Sequence, residues 1–218
     1  MKRGLVLADG VDLGVEWVTK TTGILAQRRK GKTYTACVIA EELVAAGLPF
    51  VAIDPTGAWW GLRASADGRG DGLPVVVLGG QHGDVPLERT DGRAVAELVV
   101  EEPGYYVLDL SLFESKAADR QFATDFAERL YRRKGQPGGD SPLHLFVDEA
   151  DLFVPQAVGK DATTMVGAFQ SLVRRGGLRG IGTTLISQRS AVVNKDVLEQ
   201  LDVLVVLRTG GPHARKRI

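Results

Sequence analysis

The sequence predicts a three-layer α/β fold with a mainly parallel sheet, and three observations carry that expectation. Short apolar runs alternate with longer helix-type segments along most of the 218 residues. Several of these runs are apolar throughout, as expected of strands buried on both faces of a parallel sheet. Two runs lead directly into polar residues suited to phosphate and metal chemistry, at the strand ends where open α/β sheets hold ligands.

The elements follow in order. Residues 3 to 20 give two strand-like runs, Leu5 to Leu7 and Val15 to Val18, split by Asp9-Gly10; they predict a short β-hairpin extension over residues 1–20. A core strand is expected over 23–27 and a helix over 31–46, ended by Gly47 ahead of Pro49. Pro49 to Ile53, Val75 to Leu78, Tyr105 to Leu110, Leu143 to Val147, Ile181 to Ile186 and Val203 to Leu207 read as further strands. Helices are expected from Asp91, placed as an N-cap, to about Val100, over 115–134 with Phe122, Phe126 and Leu130 on one face, and over 161–175.

Composition excludes some classes. With 27 acidic and 27 basic residues, no global positive field advertises nucleic acid, although one face could still concentrate Lys and Arg. The single cysteine, Cys37, excludes an internal disulfide framework and reads as a small core residue. No apolar stretch approaches the ~18 residues needed to span a bilayer, and the N-terminal apolar run is too short for a signal peptide. The expectation is a soluble, cytoplasmic protein with no membrane contact.

The chemistry begins at Gly31-Lys32-Thr33, between a strand and a long helix. Strand, loop, Gly-Lys-Thr and helix form the phosphate-binding arrangement of nucleotide triphosphatases: loop and first-turn N–H groups surround the phosphates, and the helix dipole favours their charge. Lys32 would place a cation on the β/γ oxygens, and Thr33 would offer its hydroxyl to Mg²⁺. The pattern G-x-x-x-x-G-K-[ST] is altered here. Ala26 takes the first glycine position, and Arg29-Lys30 stand where glycine commonly supplies positive φ, so Arg29 must adopt that conformation or the loop must take another path. The candidate nucleotide-binding set is Arg28, Arg29, Lys30, Gly31, Lys32, Thr33 and Tyr34.

The second motif is LHLFVDEA, residues 143 to 150. A hydrophobic strand delivers Asp148, placed to support Mg²⁺, and Glu149, placed as general base for an attacking water. Gln188, at the end of the following strand, can sense the γ-phosphate and orient that water. The candidate catalytic residues are Glu149, Gln188 and Lys32; the metal candidates are Thr33 and Asp148. Asp109 ends another strand, near the nucleotide or as a turn cap. Trp59 and Trp60 read as packing residues, with adenine stacking or a DNA contact as the alternative. His82, His144 and His213 show no metal-ligand spacing. The basic tail, Arg215, Lys216 and Arg217, reads as a solvated end, with a DNA contact as the alternative.

GKTYTA, IDPTGAWWGL, LHLFVDEADLFVPQ and ISQRSAVVNKDVLEQLDVLVVLRTGGP, in this order and spacing, resemble the HerA-like ATPases within the HerA/FtsK division of P-loop motors. The resemblance runs from about residue 16 to the end. It implies a RecA-like P-loop ATPase core over 21–218 that binds ATP and Mg²⁺, assembles as a hexamer and couples hydrolysis to movement along double-stranded DNA, with a nuclease or other effector as a further partner. Positions matching Lys32 and Thr33 hold phosphate and Mg²⁺ in that family, those matching Asp148 and Glu149 hold metal and activate water, and that matching Gln188 is the sensor. The chain departs from the family pattern at Ala58, where many relatives carry a glutamate after D-x-x-G, and at Gly177, where relatives often carry an arginine. Arg175 and Arg179 are the nearest candidates for a finger reaching a neighbouring subunit, and the chain stops at GGPHARKRI where relatives continue. The altered loop favours an alternative, a nucleotide-binding regulatory or scaffold module with little hydrolysis.

Overall fold

The computed structural model describes residues 4–65, 69–139, 141–159, 162–188 and 193–208. His213 and the basic tail lie outside the described residues. Among those described, seven strands form one sheet in the spatial order β5-β6-β4-β7-β8-β3-β9, and every pairing in it is parallel. The strands are β3 (Thr21–Leu25), β4 (Phe50–Asp54), β5 (Val76–Gly79), β6 (Tyr105–Asp109), β7 (Leu143–Val147), β8 (Ile181–Ser187) and β9 (Val203–Val206). The helices are α1 (Lys32–Ala45), α2 (Gly92–Glu101), α3 (Lys116–Lys134), α4 (Thr163–Arg175) and the short α5 (Lys195–Leu198), which the sequence pattern had not suggested.

Every residue of β3, β4, β7 and β8 is buried, which is why these segments read as unbroken apolar runs. Strand alternation divides their side chains between two cores. Leu145 and Val147 join Phe122 and Phe126 of α3 and Phe169 of α4 on one face; Phe146 joins Ile39 and Leu43 of α1 on the other. No helix among the described residues is long and apolar enough to cross a membrane. Burial is the leading cause pushing the Cys37 thiol up to about 12, so this half-buried group stays a thiol.

The N-terminal hairpin differs from the expected one. β1 (Leu5–Ala8) pairs antiparallel with β2 (Val11–Leu13), whereas Val15–Thr19 is a 3₁₀ turn. The tight turn at Asp9-Gly10 brings Val11, not Val15, opposite Ala8. Trp17 and Val18 then turn inward as buried core residues. The helical cap expected of Asp91 also differs: its side chain caps no helix amide and instead accepts from the Glu88 N–H at 2.8 Å. Ser115 is a true side-chain cap, accepting from Ala118 N–H on α3.

Candidate nucleotide site at the carboxyl edge of the sheet

Four contiguous strands, β4-β7-β8-β3, end along one edge, and each contributes to the site. β3 stops at Leu25, two residues earlier than the sequence pattern suggests, so Ala26 and Gln27 belong to the loop. That loop is held at its start by Ala26 N–H to Ser187 carbonyl (3.4 Å) and Gln27 N–H to Arg208 carbonyl (2.9 Å). Arg28, Arg29 and Lys30 are exposed around its crest, where three side-chain charges would face an anion.

The missing loop glycine leaves a backbone signature. Arg29 has φ 58°, left-handed space that costs a non-glycine residue roughly 1 kcal/mol or more. The chain therefore keeps a glycine-type conformation with an arginine in it. Gly31 follows at φ 88° as the N-cap of α1, whose first-turn amides receive no side-chain cap. An uncapped helix N-terminus rimmed by three basic side chains is suited to a phosphate group. Lys32 is buried at the base of the helix, Thr33 is half-buried and Tyr34 is exposed.

Opposite this helix, β7 delivers Asp148 with 2% of its surface exposed. Its Oδ1 accepts the Glu149 N–H (2.8 Å), and its Oδ2 accepts the Thr33 hydroxyl (3.4 Å) and the indole N–H of Trp59 (3.1 Å). The hydroxyl and carboxylate named as metal candidates thus converge across 115 residues of sequence. They are hard oxygen donors of the kind Mg²⁺ takes, and among the described residues no group of three or more His, Cys, Asp or Glu forms a protein cage. A Thr, one carboxylate, water and nucleotide phosphates are the usual set for Mg²⁺, so the residues fit that ion.

Glu149 is the second non-glycine residue at positive φ, 45°. Gln188, just beyond β8, donates its amide to both Glu149 carboxylate oxygens, at 3.3 and 3.1 Å. Burial first, then the Asp148 and Asp151 carboxylates, push Glu149 above its ordinary value, while the Lys32 charge and the Gln188 hydrogen bond oppose the rise. Asp151 is occupied separately, accepting from the Ser187 hydroxyl at 2.9 Å. A carboxylate of raised basicity, strained and held by an amide, is suited to receiving a proton from water.

Other candidates take structural places. Asp109 is buried and caps its own turn, accepting from Ser111 N–H at 2.9 Å. Trp60 is partly exposed and stacks on His82 with ring centroids 3.9 Å apart. Trp59 is fully buried, and its bond to Asp148 is the contact that sequence reasoning missed. Arg179 donates to the Tyr131 carbonyl and stacks over that residue's ring at 3.7 Å, so it is engaged within its own chain; Arg175 is exposed.

No protein-family model matches the chain. Over 132 residues, 58% of the chain, it is 26% identical to the DNA double-strand break repair helicase HerA of Pyrococcus furiosus, covering 23% of that protein. Over 77 residues, 35% of the chain, it is 32% identical to the probable DNA double-strand break repair helicase HerA of Methanocaldococcus jannaschii, covering 15% of it. The genome packaging NTPase B204 of Sulfolobus turreted icosahedral virus 2, solved with ATP-gammaS, superposes with TM-score 0.55 at 14% identity over 92% of this chain and 81% of that one. The sequence matches and the shared fold together support a HerA/FtsK-type P-loop ATPase. ATPases 2 and 3 of EccC from Thermomonospora curvata share the fold, with TM-score 0.56 at 16% identity over 93% of this chain and 34% of that one. The chain spans less than a quarter of the length of the two curated relatives.

Proposed function

We propose that the chain is a Mg²⁺-dependent ATPase that assembles as a ring, a hexamer, and couples hydrolysis to movement along double-stranded DNA. The observation that carries the catalytic part is the convergence of Thr33, Asp148, Glu149 and Gln188 at one sheet edge beside the uncapped end of α1. In this reading Lys32 and the first-turn amides of α1 bind the β- and γ-phosphates, with Arg28, Arg29, Lys30, Gly31 and Tyr34 around them. Thr33 and Asp148 hold Mg²⁺, which when bound neutralises charge on the transferred phosphoryl group. Water attacks the γ-phosphorus as its proton passes to Glu149, and ADP leaves. Gln188 turns from Glu149 toward the γ-phosphate and the water when nucleotide is present. Arg175, exposed at the end of α4, is the remaining candidate for a finger in a neighbouring subunit.

The names of the HerA relatives, DNA double-strand break repair helicases, support the DNA part of the proposal; a nuclease or other effector as partner belongs to the proposal alone. Steady-state ATP hydrolysis with and without double-stranded DNA, with the oligomer sized in each case, tests it. DNA-stimulated turnover by a hexamer is expected; turnover indifferent to DNA would remove the motor. A second reading, a nucleotide-binding regulatory or scaffold module, draws on the strained Arg29 in place of a loop glycine. Tight nucleotide binding without turnover would favour it.

A further inference from the structure

The turn after β4 lacks the acidic residue that the family pattern puts after D-x-x-G; Ala58 stands there, and Trp59 follows. This turn is built around Asp54, which is fully buried. Asp54 Oδ1 accepts from Thr56 N–H (2.9 Å), the Thr56 hydroxyl (2.8 Å) and Gly57 N–H (3.0 Å), and its Oδ2 accepts from Trp59 N–H (2.8 Å). Those bonds set the path of the turn, and the turn sends the Trp59 side chain inward against Phe146 of β7, ring centroids 5.1 Å apart. The indole N–H then reaches Asp148 Oδ2 at 3.1 Å.

We propose that Trp59 is a positioning residue for the metal–nucleotide site: its N–H fixes the Asp148 carboxylate so that Oδ2 stays beside Thr33. The proposal rests on the ATPase reading. Asp148 makes no ion pair among the described residues, and at 2% exposure water can do little for it. Its three donors are a main-chain amide on Oδ1 and, on Oδ2, Thr33 and Trp59. When a metal binds, Thr33 offers it a lone pair and shares one hydroxyl between the cation and Asp148. Trp59 is the side-chain donor on Oδ2 that the metal does not engage. Satisfaction of a buried indole does not by itself explain the contact, since Trp17 is buried and its Nε1 has no partner among the described residues. Groups that orient metal-supporting side chains in this way typically contribute 10–100-fold to metal affinity.

The test is calorimetric binding of ATP in excess EDTA and across a Mg²⁺ titration, in the unaltered protein, Trp59→Phe and Phe146→Leu. Trp59→Phe keeps an aromatic ring and removes the N–H; Phe146→Leu loosens the same contact and keeps it. The expected result is a Mg²⁺ midpoint raised about tenfold in Trp59→Phe, with unchanged affinity in EDTA, and an unshifted midpoint in Phe146→Leu. If Trp59→Phe fails to fold, benzothienylalanine at position 59 preserves the bicyclic shape without the N–H and is held to the same expectation. An unshifted midpoint on removal of the N–H, or equal shifts in both variants, would overturn the positioning role and leave nucleotide binding intact. No ATP binding by the unaltered protein would instead overturn the ATPase reading, and this role with it.

Discussion

Strand β7 carries a buried polar group near each end, and the two are treated in opposite ways. His144, near its start, is fully buried and satisfied at both ring nitrogens: Nδ1 donates to the Val18 carbonyl at 2.8 Å, and Nε2 accepts from the Thr184 hydroxyl at 2.7 Å. A carbonyl can only accept, so Nδ1 carries a proton, and burial keeps the ring neutral. Trp17 stacks on it at 4.2 Å, and a Cβ at Gly182 would come within 2.1 Å of the Val18 carbonyl oxygen. Burial drives this histidine down to about 4. At the other end, Asp148 and Glu149 crowd two carboxylates together, strain the backbone at Glu149 and depend on donors from three other elements. A satisfied, neutral, unstrained polar group locks layers together. Charged, crowded and strained groups at a strand's carboxyl end mark this edge as the candidate ligand site.

The largest effect should come from the crowded end. Glu149→Gln removes the proposed proton acceptor and should lower ATP turnover by about 10²–10⁴-fold while leaving nucleotide affinity nearly unchanged, as paired turnover and binding assays would report. Undiminished turnover would deny Glu149 its role.

At the other end, the His144 prediction concerns stability and its sign follows from linkage. The folded value lies below the unfolded 6.5, so the unfolded chain binds the extra proton first as pH falls. Stability is therefore fully present above about pH 6.5 and is lost on acidification toward about pH 4, by about 3 kcal/mol in all. Chemical denaturation at stepped pH should show that loss, and His144→Gln should reduce the slope within the window. An unchanged slope would mean that another group titrates there.

Lys32→Ala should weaken nucleotide binding by about 2 kcal/mol, the scale of a hydrogen bond to a charged partner, in the same calorimetric assay. Gln188→Ala removes a hydrogen bond that holds Glu149 down in the nucleotide-free protein, so the acidic limb of the kcat/KM–pH profile should move to higher pH. The smallest effect is expected at Arg29. Arg29→Gly should stabilise the fold by up to about 1 kcal/mol, because glycine adopts φ 58° without the Cβ penalty. A destabilised Arg29→Gly protein would indicate that the arginine side chain makes a contact outweighing the strain.

Much of this architecture was legible in the sequence, for identifiable reasons. Strands buried on both faces must be apolar throughout, so β4 and β7 declared themselves within a residue or so. Lys32, Thr33, Asp148, Glu149 and Gln188 were legible because such residues follow strands that lead to one edge. What stayed hidden depends on distance in the fold. The adjacency of β3, β8 and β7 is a matter of strand order, which sequential order does not give. Trp59 looks like any core aromatic until its N–H is seen against a carboxylate 89 residues away. His144 looked like a scattered histidine because its partner carbonyl lies 126 residues earlier. Val15 to Val18 misled because β-branched residues flanking a tryptophan fit a strand, whereas the turn at Asp9-Gly10 sets the pairing at Val11–Leu13.

The central claim is that the carboxyl edge remains a working nucleotide site although Ala26, Arg29 and Lys30 replace the usual loop residues. Steady-state ATP hydrolysis by the purified protein with Mg²⁺, run beside a nucleotide-binding titration on the same preparation, tests it most directly. The account predicts saturable ATP binding and turnover that disappears when Mg²⁺ is chelated. Neither binding nor turnover, from a folded protein, would contradict it.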